Sequence, residues 1–344
     1  MRRRYDMVYG RERPSPKKLK TILVLALGVY LLAITGIYFI GEHIEKNKEA
    51  TATYGTLEGR FEQPITMEHE GDSHTYHKQN FTTILLLGID QQTMQDSSTV
   101  VRGSGQADFL MLVCFDRVNR KVIPIHLDRD TIGTVQVYGV FGNPAGYREM
   151  QICLAYAFGD TPDSGCMNTV QAVSKLFGGI HIDHYLAMDM NGMAILNDAL
   201  GGIEVTLEED FSDLDPAMTA GATLQLTGRQ AEYYLRGRLN IGDGTNQSRM
   251  RRQRVFMEAA IVRLNENMEH DANYAEELFD LLNPHLCTSA EQGWFANLLY
   301  STSKYERISI QEIAGEHTLG LDGFVEFYPD ADALKVLTFD TFFE

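Results

Sequence analysis

Apolar positions along this chain fall into three kinds of run. Thr21 to Ile40 reads TILVLALGVYLLAITGIYFI, twenty positions without a charge. At about 1.5 Å per residue such a helix is about 30 Å long, the thickness of a bilayer's hydrocarbon core. No small-residue cleavage site follows before Glu42, so the run predicts a retained membrane span over 21–41. A second kind begins at Thr82. TTILLLGID, DFLMLVCF (108–115) and KVIPIHL (121–127) are near-continuous apolar stretches, the pattern of strands buried on both faces. The connection DRVNR is short enough for a hairpin. The third kind has helical spacing. Val170, Val173, Leu176 and Phe177 share a face in NTVQAVSKLFGG, and NGMAILNDALGG stops on a glycine pair. Met250, Met257, Ile261 and Leu264 form the stripe of a long helix from about Ser248 to Asn267. HYLAMDM (184–190) and IEVTL (203–207) return to strand, and Thr227 with Gln230 makes a capping box for a helix over QAEYYLRGR.

Strands alternating with helices predict an α/β class: a mixed central β-sheet flanked by helices on both faces, in three layers, preceded by one N-terminal transmembrane helix. Polar, turn-rich residues 42–79 read as a linker and 80–268 as the main domain. Residues 269–344 are a C-terminal extension that either packs on the same domain or stands apart. LFDLL and WFANLLYSTS in it have a helical look, and VEFYPD with LKVLTFD suggests a small β/α appendix.

Charge then orients the chain. Eight basic residues precede the apolar run against only Asp6 and Glu12. The positive-inside rule therefore keeps residues 1–20 in the cytoplasm and places the remainder outside a cell membrane. The chain carries a formal charge of −17, which leaves about −23 after residue 20, a surface that excludes nucleic acid as a partner. Its four cysteines include no C-x-x-C pair, which argues against a zinc knuckle. In an oxidising exterior Cys153 and Cys166 are the expected disulfide.

Cations in so acidic a domain mark a place. Arg236, Arg238, Arg249, Arg251, Arg252 and Arg254 crowd into nineteen positions. Arg249 falls in the first turn of the long helix, where the dipole already disfavours a cation. An anion there explains Arg236, Arg238, Arg249 and Arg252, because guanidinium forks and a helix N-terminus both suit phosphate oxygens. Arg251 and Arg254 read as a solvated face. Asp90, Asp108 and the run Asp128-Arg129-Asp130-Thr131 sit at strand ends, well placed for a hard cation such as magnesium. There is no Walker A loop, no G-x-S-x-G elbow, no H-E-x-x-H helix and no kinase catalytic loop. His126 and His317 have no partner pattern and read as structural.

Taken in order, TTILLLGID, ADFLMLVCF, IHLDRDT, LAYAFGD, HYLAMDMNGMAILNDALGGIEV, LTGRQAEYYLRGR and SRMRRQR resemble the LytR–CpsA–Psr family of bacterial cell-envelope proteins. The match covers about residues 82–265. It implies a transferase that moves a glycan with its linking phosphate from a polyprenyl-pyrophosphate carrier to peptidoglycan, making a wall-linked teichoic acid, capsule or related polymer. Membrane lipid, carrier-linked glycan and peptidoglycan are the implied partners, with an apolar tunnel for the lipid and Mg2+ at the pyrophosphate. By motif, Asp108 is the metal aspartate, and Arg129, Arg236 and Arg238 are catalytic. Those three arginines, with Arg249, Arg252 and Gln253, hold the pyrophosphate. Phosphoryl transfer asks mainly for such positioning and neutralisation of charge. Asp90, Asp108 and Asp130 are the candidate bases. Three departures from the family pattern stand out. Gln106 replaces an arginine, Gln151-Ile152-Cys153 replaces Lys-Ile-Asn, and Asn246 replaces a second metal aspartate for which Asp243 could substitute. These departures keep two alternatives open: a non-catalytic binding regulator of envelope assembly, and a magnesium-dependent polyprenyl-pyrophosphate hydrolase.

Overall fold

A small hairpin, β1 (Thr66–His69) and β2 (Asp72–Thr75), leads into the longest apolar run, which forms β3 (Phe81–Ile89). These come from a computed structural model that describes residues 65–343 except 70, 92–93, 95–104, 140–141 and 239. The expected cytoplasmic tail, the membrane span and linker residues 42–64 lie outside the described residues. Among the described residues, no helix is long and apolar enough to cross a membrane.

β3 pairs antiparallel with β4 (Ala107–Asp116), which pairs antiparallel with β5 (Lys121–Leu127). On its other side β3 runs parallel to β8 (His184–Met188). The expected DRVNR hairpin is thus the β4–β5 turn. The extension supplies both edges of this sheet. β11 (Leu286–Thr288) lies antiparallel to β8, while β12 (Glu306–Arg307) and β13 (Gln311–Glu312) run parallel to β5. That outer ladder is in two pieces, at Lys121–Val122 and Ile125–His126. Pro124 sits in the gap with no N–H to give. Residues 63–344 form one compact unit.

Both faces of the sheet are apolar, but they meet different things. Leu85, Leu87, Ile89, Leu110, Leu112, Ile125 and Leu127 point into the main core. There they pack with Val170, Val173 and Phe177 from α1 (Pro162–Leu176) and its C-cap. Phe342 of α7 (Ala331–Phe342) joins them. Truncating any of these leucines to alanine costs about 2–5 kcal/mol. The alternate residues Ile84, Leu86, Met111, Val113, Val122 and Pro124 face a cavity instead. Its far wall comes from α4 (Asn246–His270), α5 (Tyr274–Leu282) and α6 (Gln292–Thr302). Helices therefore cover both faces of a mixed sheet.

Several boundaries move for local reasons. α1 begins six residues before Asn168, because Thr161 and Ser164 form a capping box with Pro162 just inside. Asp189 ends the strand and caps α2 (Met190–Ala199), its Oδ1 accepting from Gly192 N at 2.8 Å. The Thr227–Gln230 box starts α3 (Gly228–Arg236) as the motif predicts. Three hairpins complete the fold: β6 (Ile132–Tyr138) with β7 (Pro144–Gln151), β9 (Glu204–Thr206) with β10 (Thr223–Gln225), and β14 (Gly315–Leu319) with β15 (Val325–Pro329).

Candidate functional site

The polar residues collect where β3, β5 and β8 end and β4 begins, the usual ligand position of an open α/β sheet. A bulge creates its centre. β3 and β4 pair regularly up to Gly88–Phe109, then Ile89 pairs with Ala107 and Asp108 is left out of register. Asp108 and Phe109 consequently both line the cavity, while Ala107 and Leu110 both enter the core. A regular strand would have sent Asp108 into the hydrophobic core; the bulge re-aims it.

Two arginines close on that carboxylate. Arg129 Nη1 donates to Asp108 Oδ1, and Arg249 Nη1 donates to Oδ2 at 2.8 Å. Arg129 is further tied to Gln106 Oε1 and, at 3.3 Å, to Cys153 Sγ. Burial alone would lower its pKa, but Cys153, Asp108 and Asp130 together raise it. Arg249 is 3 % exposed in the first turn of α4. Burial lowers its pKa, with Asp108 opposing. Its Nη2 donates to Asn246 Oδ1 at 2.6 Å, one turn back on the same helix.

Arg236 and Arg238 are exposed beside this pair. Arg236 bridges Asp90 at 2.8 Å and Glu232 at 2.9 Å and lines the cavity mouth. Arg238 has no salt-bridge partner among the described residues, and it lies near enough to Asp130 and Arg249 to act on both. Asp130 is held above the usual carboxylate range by burial and then by repulsion from Asp128. The loop carrying it is braced from two sides. Cys153 N donates to Arg129 O at 3.2 Å and Ile152 N to Thr131 O at 2.8 Å, while Phe327 N donates to Asp130 O at 2.8 Å.

Other expected residues are used differently. Arg252 is buried and spent on protein partners: Tyr234 O at 2.8 Å, Ser248 Oγ at 2.9 Å, Gly237 O and Glu209 Oε2. It fixes the end of α3 that presents Arg236. Gln253 lines the cavity and reaches Leu235 O at 3.4 Å. Arg254, expected on a solvated face, is paired with Glu312 of β13 at 2.7 Å, whereas Arg251 is exposed as expected.

The expected Cys153–Cys166 disulfide is a correction: both are free thiols. Cys153 meets Arg129, whereas Cys166 in α1 has Cys287 as its hydrogen-bonding neighbour. Burial pushes the Cys153 thiol up to about 11, so it is neutral. Non-reducing peptide mapping should recover no Cys153–Cys166 cross-linked peptide.

The residues do not fit a magnesium ion held by the protein. Asp108 has both oxygens on guanidinium groups. Asn246 turns its Nδ2 to Asp128 Oδ1 at 2.8 Å and its Oδ1 to Arg249. Asp243 is exposed and closes a turn on Thr245, accepting from its N at 2.9 Å and its Oγ1 at 2.7 Å. No group of three acidic, His or Cys side chains among the described residues could hold a metal. Titrated with magnesium chloride in a calorimeter, the protein should show no saturable binding. Asn246→Asp, which sets a second carboxylate against Asp128, should acquire it. Tight binding by the wild type would show that the ligand set lies elsewhere.

The mouth formed by Asp108, Glu232, Arg236, Arg249 and Gln253 opens into the cavity, about 480 Å3 and almost wholly apolar beyond it. The LytR_cpsA_psr family model matches residues 41–340 of the chain. Biofilm regulatory protein A of Streptococcus mutans is 28% identical over 248 residues, 70% of this chain and 54% of the relative, so the chain spans about half of that protein. The polyisoprenyl-teichoic acid–peptidoglycan teichoic acid transferase TagU of Bacillus cereus is 28% identical over 236 residues, 67% of this chain and 69% of the relative. Among solved structures, protein gbs0355 from Streptococcus agalactiae superposes with a TM-score of 0.63 at 22% identity, covering 77% of this chain and 88% of that one.

Proposed function

Because the chain belongs to the LytR–CpsA–Psr family, we propose that it is a glycopolymer transferase acting on a polyprenyl-pyrophosphate-linked glycan with peptidoglycan as acceptor. One observation carries this reading: a deep apolar cavity ends on a cluster of guanidinium groups. Its volume, about 480 Å3, is that of a small-molecule pocket of roughly 300–1,000 Å3. A ligand filling both parts is an amphiphile with an apolar chain and a polyanionic head. TagU, named for a polyisoprenyl-linked donor and a peptidoglycan acceptor, supports the same substrate class.

In this reading the isoprenoid lies between the sheet and α4–α6, each buried methylene contributing about 0.8 kcal/mol. Its pyrophosphate meets Arg129 and Arg249 inside and Arg236 and Arg238 outside. A sugar hydroxyl of peptidoglycan attacks the glycan-side phosphorus. The new O–P bond forms as the bond to the polyprenyl phosphate breaks, and that phosphate leaves with the electron pair. The hydroxyl proton passes to a carboxylate. Asp130 suits this role better than Asp108, whose oxygens already accept from two arginines, because burial and Asp128 raise its basicity. The guanidinium pair neutralises charge as the leaving phosphate develops it.

The test is incubation of the full chain in detergent with a polyprenyl-pyrophosphate-linked wall glycan, with and without peptidoglycan. Glycan covalently attached to peptidoglycan, with release of polyprenyl phosphate only when acceptor is present, is the expected result. Release without acceptor would make the protein a hydrolase. Binding without release would make it a carrier-binding regulator.

A further inference from the structure

His317 lies sixty-three residues beyond the last family motif, yet it reaches the site. It stands on β14, packed against Phe327 of β15 with ring centroids 4.7 Å apart. Its Nε2 is 2.8 Å from Asp128 Oδ2, and its Nδ1 is 2.9 Å from Gln247 Nε2. A carboxylate oxygen can only accept, so the Nε2 of His317 carries the proton that it donates to Asp128. Asp128 is 6 % exposed, and the hydrogen-bond partners of its side chain among the described residues are all donors. Oδ1 accepts from Asp130 N at 2.8 Å and Asn246 Nδ2 at 2.8 Å, and Oδ2 accepts from His317.

The next group in the chain of contacts is the amide of Asn246. An asparagine amide can face either way, and its orientation follows from its partners. Asp128 can only accept and Arg249 can only donate, so the Nδ2 of Asn246 faces Asp128 and its Oδ1 faces Arg249 Nη2, while His317 holds the other oxygen of the same carboxylate. Arg249 in turn holds Asp108. A continuous hydrogen-bonded line therefore runs from His317 through Asp128, Asn246, Arg249 and Asp108 to Arg129.

We infer that His317 is a positioning residue for the anion site: acting through Asp128 and Asn246, it sets the direction of Arg249 towards the ligand. It touches no substrate. The inference rests on the pyrophosphate reading given above.

Two substitutions separate the geometry from mere packing. Glutamine at 317 places an amide donor near the position of Nε2 and retains an acceptor for Gln247. Asparagine is too short to reach Asp128. The full chain in detergent is titrated with geranylgeranyl pyrophosphate by calorimetry, and each variant's melting temperature is recorded. His317→Gln should bind within about threefold of wild type. His317→Asn should bind about tenfold more weakly or worse, the scale of a lost hydrogen bond to a charged group. Both should melt within a few degrees of wild type. In an Arg249→Ala background the two variants should bind alike, because the line is already cut. Equal binding by His317→Asn and wild type, or a loss that persists undiminished without Arg249, would overturn the inference alone. Absence of binding by the wild type would remove the pyrophosphate site, and the inference with it.

Discussion

Alanine at Arg129 should lower glycan transfer by about 100- to 1,000-fold, the scale of losing one oriented donor to a developing charge. Arg129 is held by Asp108, Gln106 and Cys153 and is braced through its own backbone by Cys153 N. Its fork is therefore set before a ligand arrives, and preorganisation of this kind is lost entirely on truncation. Lysine should rescue poorly, since a single ammonium cannot span Asp108 and a phosphate in one plane. Arg249→Ala should cost a similar factor. Arg236→Ala and Arg238→Ala should cost less and should grow milder in high salt, because both side chains are exposed. Transfer at wild-type rate by folded Arg129→Ala protein would refute the assignment. A melting curve beside each rate separates lost chemistry from lost structure, since Asp108 keeps only one cation in the Arg129 and Arg249 alanine variants.

Filling the cavity should have an effect of the same order by a different route. Val113 lies on the cavity face of β4 and is half-buried. Tryptophan there suits a strand and projects into empty space rather than into the core. Displacing about four methylenes of a bound chain forfeits about 3 kcal/mol, or about 100-fold in affinity. Val113→Trp should therefore weaken geranylgeranyl pyrophosphate binding about 100-fold. Isopentenyl pyrophosphate, whose tail is too short to meet the new ring, should bind as it does to wild type. Equal loss for both ligands would place the chain elsewhere and the tryptophan damage at the head-group site.

The residues of the site were legible wherever the motif itself carries them. Asp108, Arg129 and Arg249 converge as expected, and the α/β alternation leads to the mixed sheet. What sequence could not supply is geometry that runs against a local rule. Strand periodicity places Asp108 opposite Phe109, and only the bulge at Ile89 brings both to one wall. An apolar run such as ILLLGI reads as burial on both faces, which is true of β3, but one of those faces meets a cavity rather than side chains. Arg252 and Arg249 look alike in SRMRRQR, yet one helical turn separates a guanidinium at the site from one clamped to carbonyls. His317 was invisible because its partner Asp128 is 189 positions away. A capping box, by contrast, is read within four residues, and the one at Thr227 was found.

The placement of both sheet edges in the C-terminal extension sets a schedule for biosynthesis. By the time the last arginine of SRMRRQR leaves the ribosome, every motif of the family has been made. The cavity then still lacks the wall that Leu278, Phe279, Phe295 and Leu299 supply, and β5 and β8 still lack their outer neighbours. At that moment the chain displays an apolar trough and two open strand edges, the two surfaces most prone to wrong association. A nonsense mutation at about residue 268 would leave all the sequence hallmarks intact and deliver a sticky, incomplete product. The last quarter of this polypeptide is thus the part that makes the rest safe to release.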